Sequence, residues 1–62
     1  MLYRVKRITP GWTFAMRRRK DAIICDFFNR RNRKVATYVY DLDGKPWAGL
    51  SVPERFQIER VG

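Results

Sequence analysis

Two runs of bases, Arg17-Arg18-Arg19-Lys20 and Arg30-Arg31-Asn32-Arg33-Lys34, are the residues best equipped to do chemistry, and that chemistry is anion recognition. A guanidinium presents a planar fork of donors that grips a phosphate through two parallel hydrogen bonds and also stacks on bases. Charge needed only for solubility is as well supplied by lysine, yet seven of the ten bases formed by these runs with Lys6 and Arg7 are arginine. The first 34 residues hold eleven bases against two acids, a net +9, while the remaining 28 hold three bases against four acids, a net −1. A uniformly solubilising surface would not divide in this way.

Other side chains add to the candidate site. Tyr38, Tyr40 and Trp47 could supply a stacking platform for unpaired bases or anchors for a partner, although in a chain of 62 residues aromatics commonly belong to the core. Trp12 and Phe14 are read as core. Asn29 and Asn32 could read base edges beside the arginines, but turn chemistry accounts for them as well. Asp26 lies between the basic runs, placed either to pair with an arginine and organise the patch or simply to face solvent.

Much chemistry is excluded. With no histidine and only Cys25, the chain offers no zinc set of the usual kind and no internal disulfide. Cys25 follows Ala22-Ile23-Ile24 and reads as a buried structural thiol, which suits a reducing, cytoplasmic compartment. No nucleophile–base pair and no phosphate-cradling glycine pattern occurs, so the reading is non-enzymatic, with no cofactor and no metal. No segment is long and apolar enough to span a membrane, and no signal peptide is evident. With Met1 at its start, the chain is expected to be a complete small gene product.

The positioning elements follow from periodicity. One domain over residues 1–62 is expected, and at this length the core must be efficient, since ordering each residue costs roughly 1.5 kcal/mol. The composition, 45% hydrophobic with nine aromatics, can furnish that core, with dimerisation as a further way to bury surface. Leu2 to Ile8 mixes apolar and basic residues, and Thr9-Pro10-Gly11 reads as a turn. Trp12, Phe14 and Met16 then alternate with Thr13, Ala15 and Arg17 as in a half-buried strand, and Arg17 to Asp21 follows as a solvated loop. Residues 22–29 read as a strand with Ile23, Cys25 and Phe27 on one face, followed by the turn-prone Asn29-Arg30-Arg31-Asn32. The alternative is a helix over 21–31 capped by Asp21, with 23, 24, 27 and 28 as its apolar face.

Val35 to Leu42 has high β-propensity, and Asp43-Gly44 predicts a two-residue hairpin turn of the type that needs positive φ. That register sets Tyr40 opposite Trp47, Tyr38 opposite Gly49 and Val35 opposite Val52. Pro46 makes the returning strand an edge or irregular one. After a turn at 52–55, Phe56 to Val61 alternates as a last strand.

These elements predict a small all-β fold: a five-stranded antiparallel SH3-like barrel or curled sheet, with an α+β alternative built on the 21–31 helix. The segment Val52-Pro53-Glu54-Arg55-Phe56 resembles the Gly-x-x-Pro-x-x-aromatic tail of SH3 domains, in which a short helical turn leads into the last strand. The resemblance covers about eight residues, and Gly49 lies one residue further from Pro53 than that pattern has it. The family's acidic first loop and tyrosine-rich opening are absent, so no peptide-binding residue is carried over.

In the strand reading the two basic runs flank residues 22–29, roughly 27 Å apart at ~3.3 Å per residue. A helix would bring them to about 15 Å. Either spacing suits one polyanion. The functional expectation is a module that binds DNA or RNA phosphates with little sequence specificity, since no helix-turn-helix or zinc-finger pattern is present. The alternative is a phage-like accessory protein that binds a larger host enzyme through an acidic patch and inhibits or redirects it. Both use the same residues: Lys6, Arg7, Arg17, Arg18, Arg19, Lys20, Arg30, Arg31, Arg33 and Lys34.

Overall fold

In the computed structural model, which describes residues 2–62, the chain is nearly all β. Its strands are β1 (Tyr3–Val5), β2 (Thr13–Arg18), β3 (Ile23–Phe28), β4 (Lys34–Tyr40) and β5 (Ile58–Arg60), with a 3-10 turn at Glu54–Phe56 before β5. All pairings are antiparallel. The barrel or single curled sheet expected from the sequence is corrected to two separate sheets, β1-β5 and β2-β3-β4. The helix alternative at 21–31 is also corrected, because residues 23–28 form the central strand of the larger sheet. Isoleucines and phenylalanines there lose little by extending and can be covered on both sides of the strand. A helix would have stranded Cys25 away from its apolar stripe.

Register decides which side chains go inward. Met16 pairs with Cys25 and Cys25 with Tyr38; Phe14 pairs with Phe27 and Phe27 with Ala36; Ile23 pairs with Tyr40. Ile23, Cys25, Phe27 and Tyr40 are the most deeply buried side chains, joined in the core by Val5, Val52, Phe56 and Ile58. Phe56 is the hub. Its ring lies 4.8 Å from that of Phe27, 5.1 Å from Tyr38 and 6.2 Å from Trp12, and its carbonyl accepts the Tyr40 hydroxyl. The 3-10 turn swings it under the larger sheet and so joins the two sheets. Phe14, expected in the core, is instead 42% exposed, because β2 is an edge strand.

Two hairpin loops share one construction. In each, an Asx residue accepts two backbone N–H groups through its side chain: Asn29 Oδ1 from Arg31 at 2.9 Å and Arg33 at 3.1 Å, and Asp41 Oδ1 from Asp43 at 2.9 Å and Lys45 at 3.0 Å. In each, the backbone closes between the first and fifth residues, and the fourth, Asn32 or Gly44, has positive φ (60° and 89°). This is a three-residue loop ending in a left-handed residue, the form in which Gly or Asn is favoured.

The two-residue Asp43-Gly44 turn is therefore corrected, as positive φ falls on Gly44 but not on Asp43. The added loop residue shifts the register. Tyr40 faces Pro46, not Trp47, and the return to 52 makes no strand beyond that single bridge. Pro46 cannot donate to a ladder, and Gly49 takes a φ of 82°, which breaks extended geometry. A β-carbon at Gly44 would stand 3.2 Å from the Arg60 backbone nitrogen. Gly44→Val should therefore cost at least about 2 kcal/mol, from left-handed strain and backbone crowding, and lower the melting midpoint by roughly 10 °C. An unchanged melting curve would contradict this loop.

Candidate nucleic-acid interface

Because side chains alternate across a strand, the second face of the larger sheet presents Thr13, Ala15 and Arg17 from β2, Ile24, Asp26 and Phe28 from β3, and Lys34, Thr37 and Val39 from β4. At its centre Asp26 is only 9% exposed, although it lies on the face turned away from the core. Thr37 Oγ1 donates to its Oδ1 at 2.6 Å, Arg17 Nη2 stands 3.6 Å from Oδ2, and Lys34 Nζ stands 3.7 Å from Oδ1. These partners hold its carboxyl below the usual carboxylate range; the Thr37 hydrogen bond is the largest cause and the cations add to it, against the opposing effect of burial.

A carboxyl lowered in the folded state contributes stability above its unfolded value near 4, and that contribution is lost as pH falls through the folded value. Asp26→Asn should flatten the acid limb of the stability–pH curve and lower stability at pH 7. It should also tighten polyanion binding by releasing Arg17 and Lys34. An acid limb identical to that of the parent protein would show that Asp26 carries no such coupling.

The basic runs lie at opposite ends of β3. Arg19 N–H closes on the Ala22 carbonyl at 2.8 Å, which makes residues 18–23 a tight hairpin; of the second run, residues 30–33 form the Asn29 loop and Lys34 opens β4. Arg17 and Arg18 belong to β2 and not to a loop as expected, though both are exposed. Arg17 and Lys34 reach inward to Asp26 and so carry positive charge from each hairpin toward the middle of the face. Arg18, Arg19, Lys20, Arg30, Arg31 and Arg33 have no acidic partner among the described residues. Arg30 also covers backbone: a β-carbon at Gly11 would come within 2.5 Å of its Cγ.

Elsewhere half of the bases are matched. Arg4 pairs with Glu59 at 3.2 Å, Arg7 with Glu54 at 3.0 Å and Arg60 with Asp43 at 3.5 Å. Residues 12–40 carry eight bases against two acids, a net +6; the rest of the chain carries six against four, a net +2. Arg7 thus belongs to the neutralised part. Lys6, whose N–H bonds the Gln57 carbonyl at 3.0 Å, lines a cleft with Asp43, Lys45, Glu59 and Arg60 beside β5.

The aromatic trio is not a platform. Tyr40 is 0% exposed and has no face to offer, and half-buried Tyr38 is packed on Phe56. Trp47, 37% exposed, stands in the irregular segment beyond Pro46. Asn29 is committed to its turn. The Thr37 and Lys34 partnership with Asp26 escaped the sequence reading. Its signal was the Asn29 loop, which sets the β3–β4 register and places Asp26 opposite Thr37.

No protein-family model matches the chain, and neither does any curated protein or solved structure. Among the described residues no cluster of His, Cys, Asp and Glu could hold a metal ion, and no helix is long and apolar enough to cross a membrane.

Proposed function

We propose that this chain is a small, non-enzymatic nucleic-acid-binding protein that contacts phosphates with little sequence specificity. Its contact surface is the exposed face of β2-β3-β4 and the two hairpins that flank it. The supporting observation is the segregation of charge: six bases without an acidic partner cluster at the two ends of the larger sheet, while of the six bases outside residues 12–40 three, Arg4, Arg7 and Arg60, are paired. Arginine predominates in that set, which favours phosphate over general solubility. Specific readout is not expected, since Asn29 of the basic hairpin is spent on its own backbone and Asn32 is explained by its left-handed place in the loop. An SH3-like arrangement of the two sheets is part of this proposal, supported by the 3-10 turn before the last strand.

The test is a pull-down from cell lysate with the purified protein, run with and without prior nuclease digestion. Recovery of nucleic acid that collapses after digestion is the expected result. A single stoichiometric protein that survives digestion would overturn the reading and move the arginines to the surface of an acidic protein partner.

A further inference from the structure

The distribution of charge and aromatics across the larger sheet points to the form of nucleic acid bound; the inference rests on the phosphate-binding reading above. We infer that the partner is a duplex, held across a groove, and not an unpaired strand. Proteins that hold unpaired strands combine a basic track with aromatic faces on which successive bases stack. Here those two features lie on opposite sides of the middle of the sheet. Phe14, Tyr38 and Tyr40 share the inner face with Cys25 and Phe27, and of the bases on the strands only Arg18, at the far end of β2, is on that side; Arg17 and Lys34 lie on the outer face. The outer face carries one aromatic, half-buried Phe28. An unpaired strand on this surface would have its phosphates neutralised and its bases left in water.

A duplex needs no stacking from the protein, because its bases are already stacked. It presents instead two phosphate rows with a groove between them, and the face is built to that pattern. The hairpins at either end of β3 carry the unpaired bases, and the six residues of β3 separate them by about 20 Å. Asp26 sits between them. A carboxylate at the centre of a phosphate-binding face repels a backbone that runs over it. It is tolerated where a groove lies above, with the phosphate rows passing at the hairpins. Thr13, Ala15 and Thr37, exposed and small, leave the space over the sheet open. Both DNA and RNA duplexes supply paired phosphate rows, so duplex form is the property inferred.

The experiment is fluorescence anisotropy of the full chain with labelled 20-base-pair DNA and RNA duplexes, and with their separated strands in sequences free of self-structure, at matched salt. At least one duplex should bind tenfold or more tightly than either of its strands. A second arm uses Asp26→Asn: affinity for the single strands should rise by a larger factor than affinity for the duplex. Single strands binding as tightly as duplexes would overturn this inference and leave the phosphate reading standing. No binding to any of the nucleic acids at 50 mM salt would overturn both.

Discussion

Replacing Arg18, Arg19, Lys20, Arg31 and Arg33 together by glutamine should weaken nucleic-acid binding at least about a thousandfold at 0.1 M salt. Each of these bases lacks an acidic partner among the described residues, so each is available to displace a counterion from a phosphate. The slope of log K against log salt should shrink by about 4 to 5, at roughly 0.9 per phosphate contact on duplex DNA. Arg30 is left unchanged because its stem lies over Gly11. The melting midpoint should barely move, since exposed substitutions of this kind usually stay within about 0.5 kcal/mol. A salt slope equal to that of the parent protein would show that phosphates do not meet these hairpins. A collapse of the fold would show that the side chains are structural.

Phe56→Ala should have the largest effect on stability. The ring touches Phe27, Tyr38 and Trp12, and its backbone carbonyl holds the buried Tyr40 hydroxyl, so truncation opens a cavity where the two sheets meet. Such a change typically costs about 3–5 kcal/mol. Small domains have little more than about 5 kcal/mol in all, so much of the variant should be unfolded at 25 °C. Cys25 reports this directly. Burial, helped by the Asp26 charge, pushes its thiol up to about 12, and its side chain is inaccessible. In the parent protein at pH 8 it should resist alkylation, while in Phe56→Ala it should react at close to the rate of a free thiol. Phe56→Leu, which keeps most of the volume, should retain protection at a cost under about 2 kcal/mol. Full protection in Phe56→Ala would mean that the sheets are joined by something else.

What could be read from the residues and what could not divide along physical lines. Alternation revealed β2 and β4, because an antiparallel sheet with one wet face writes its period into the chain. It was ambiguous for β3, since Ile23, Ile24, Phe27 and Phe28 are apolar on both faces of a central strand and therefore also fit a helical stripe. The Asp43-Gly44 pair correctly marked left-handed backbone at Gly44, but loop length was misjudged because the Asp41 side chain recruits Leu42 into the turn region. One residue of error there moved Trp47 out of register with Tyr40. For the site, the basic runs were plain in the sequence because charge needs no partner to be seen. Their division from Arg7 and Lys6 was not, since it depends on the long-range Arg7–Glu54 ion pair and on the tertiary placement of Lys6 beside β5. The role of Phe56 was equally hidden: it rests on contacts with residues 18 to 44 positions away.

The most direct test of the account is amide chemical-shift mapping of the isotope-labelled chain titrated with a 20-base-pair duplex. Shifts concentrated in residues 17–21, 29–34 and the outward-facing positions of β2, β3 and β4, with the cleft of Lys6, Lys45 and Arg60 undisturbed, are the predicted result. Shifts centred on that cleft, or spread evenly over all cationic residues, would contradict the claim that one face of the larger sheet meets nucleic acid.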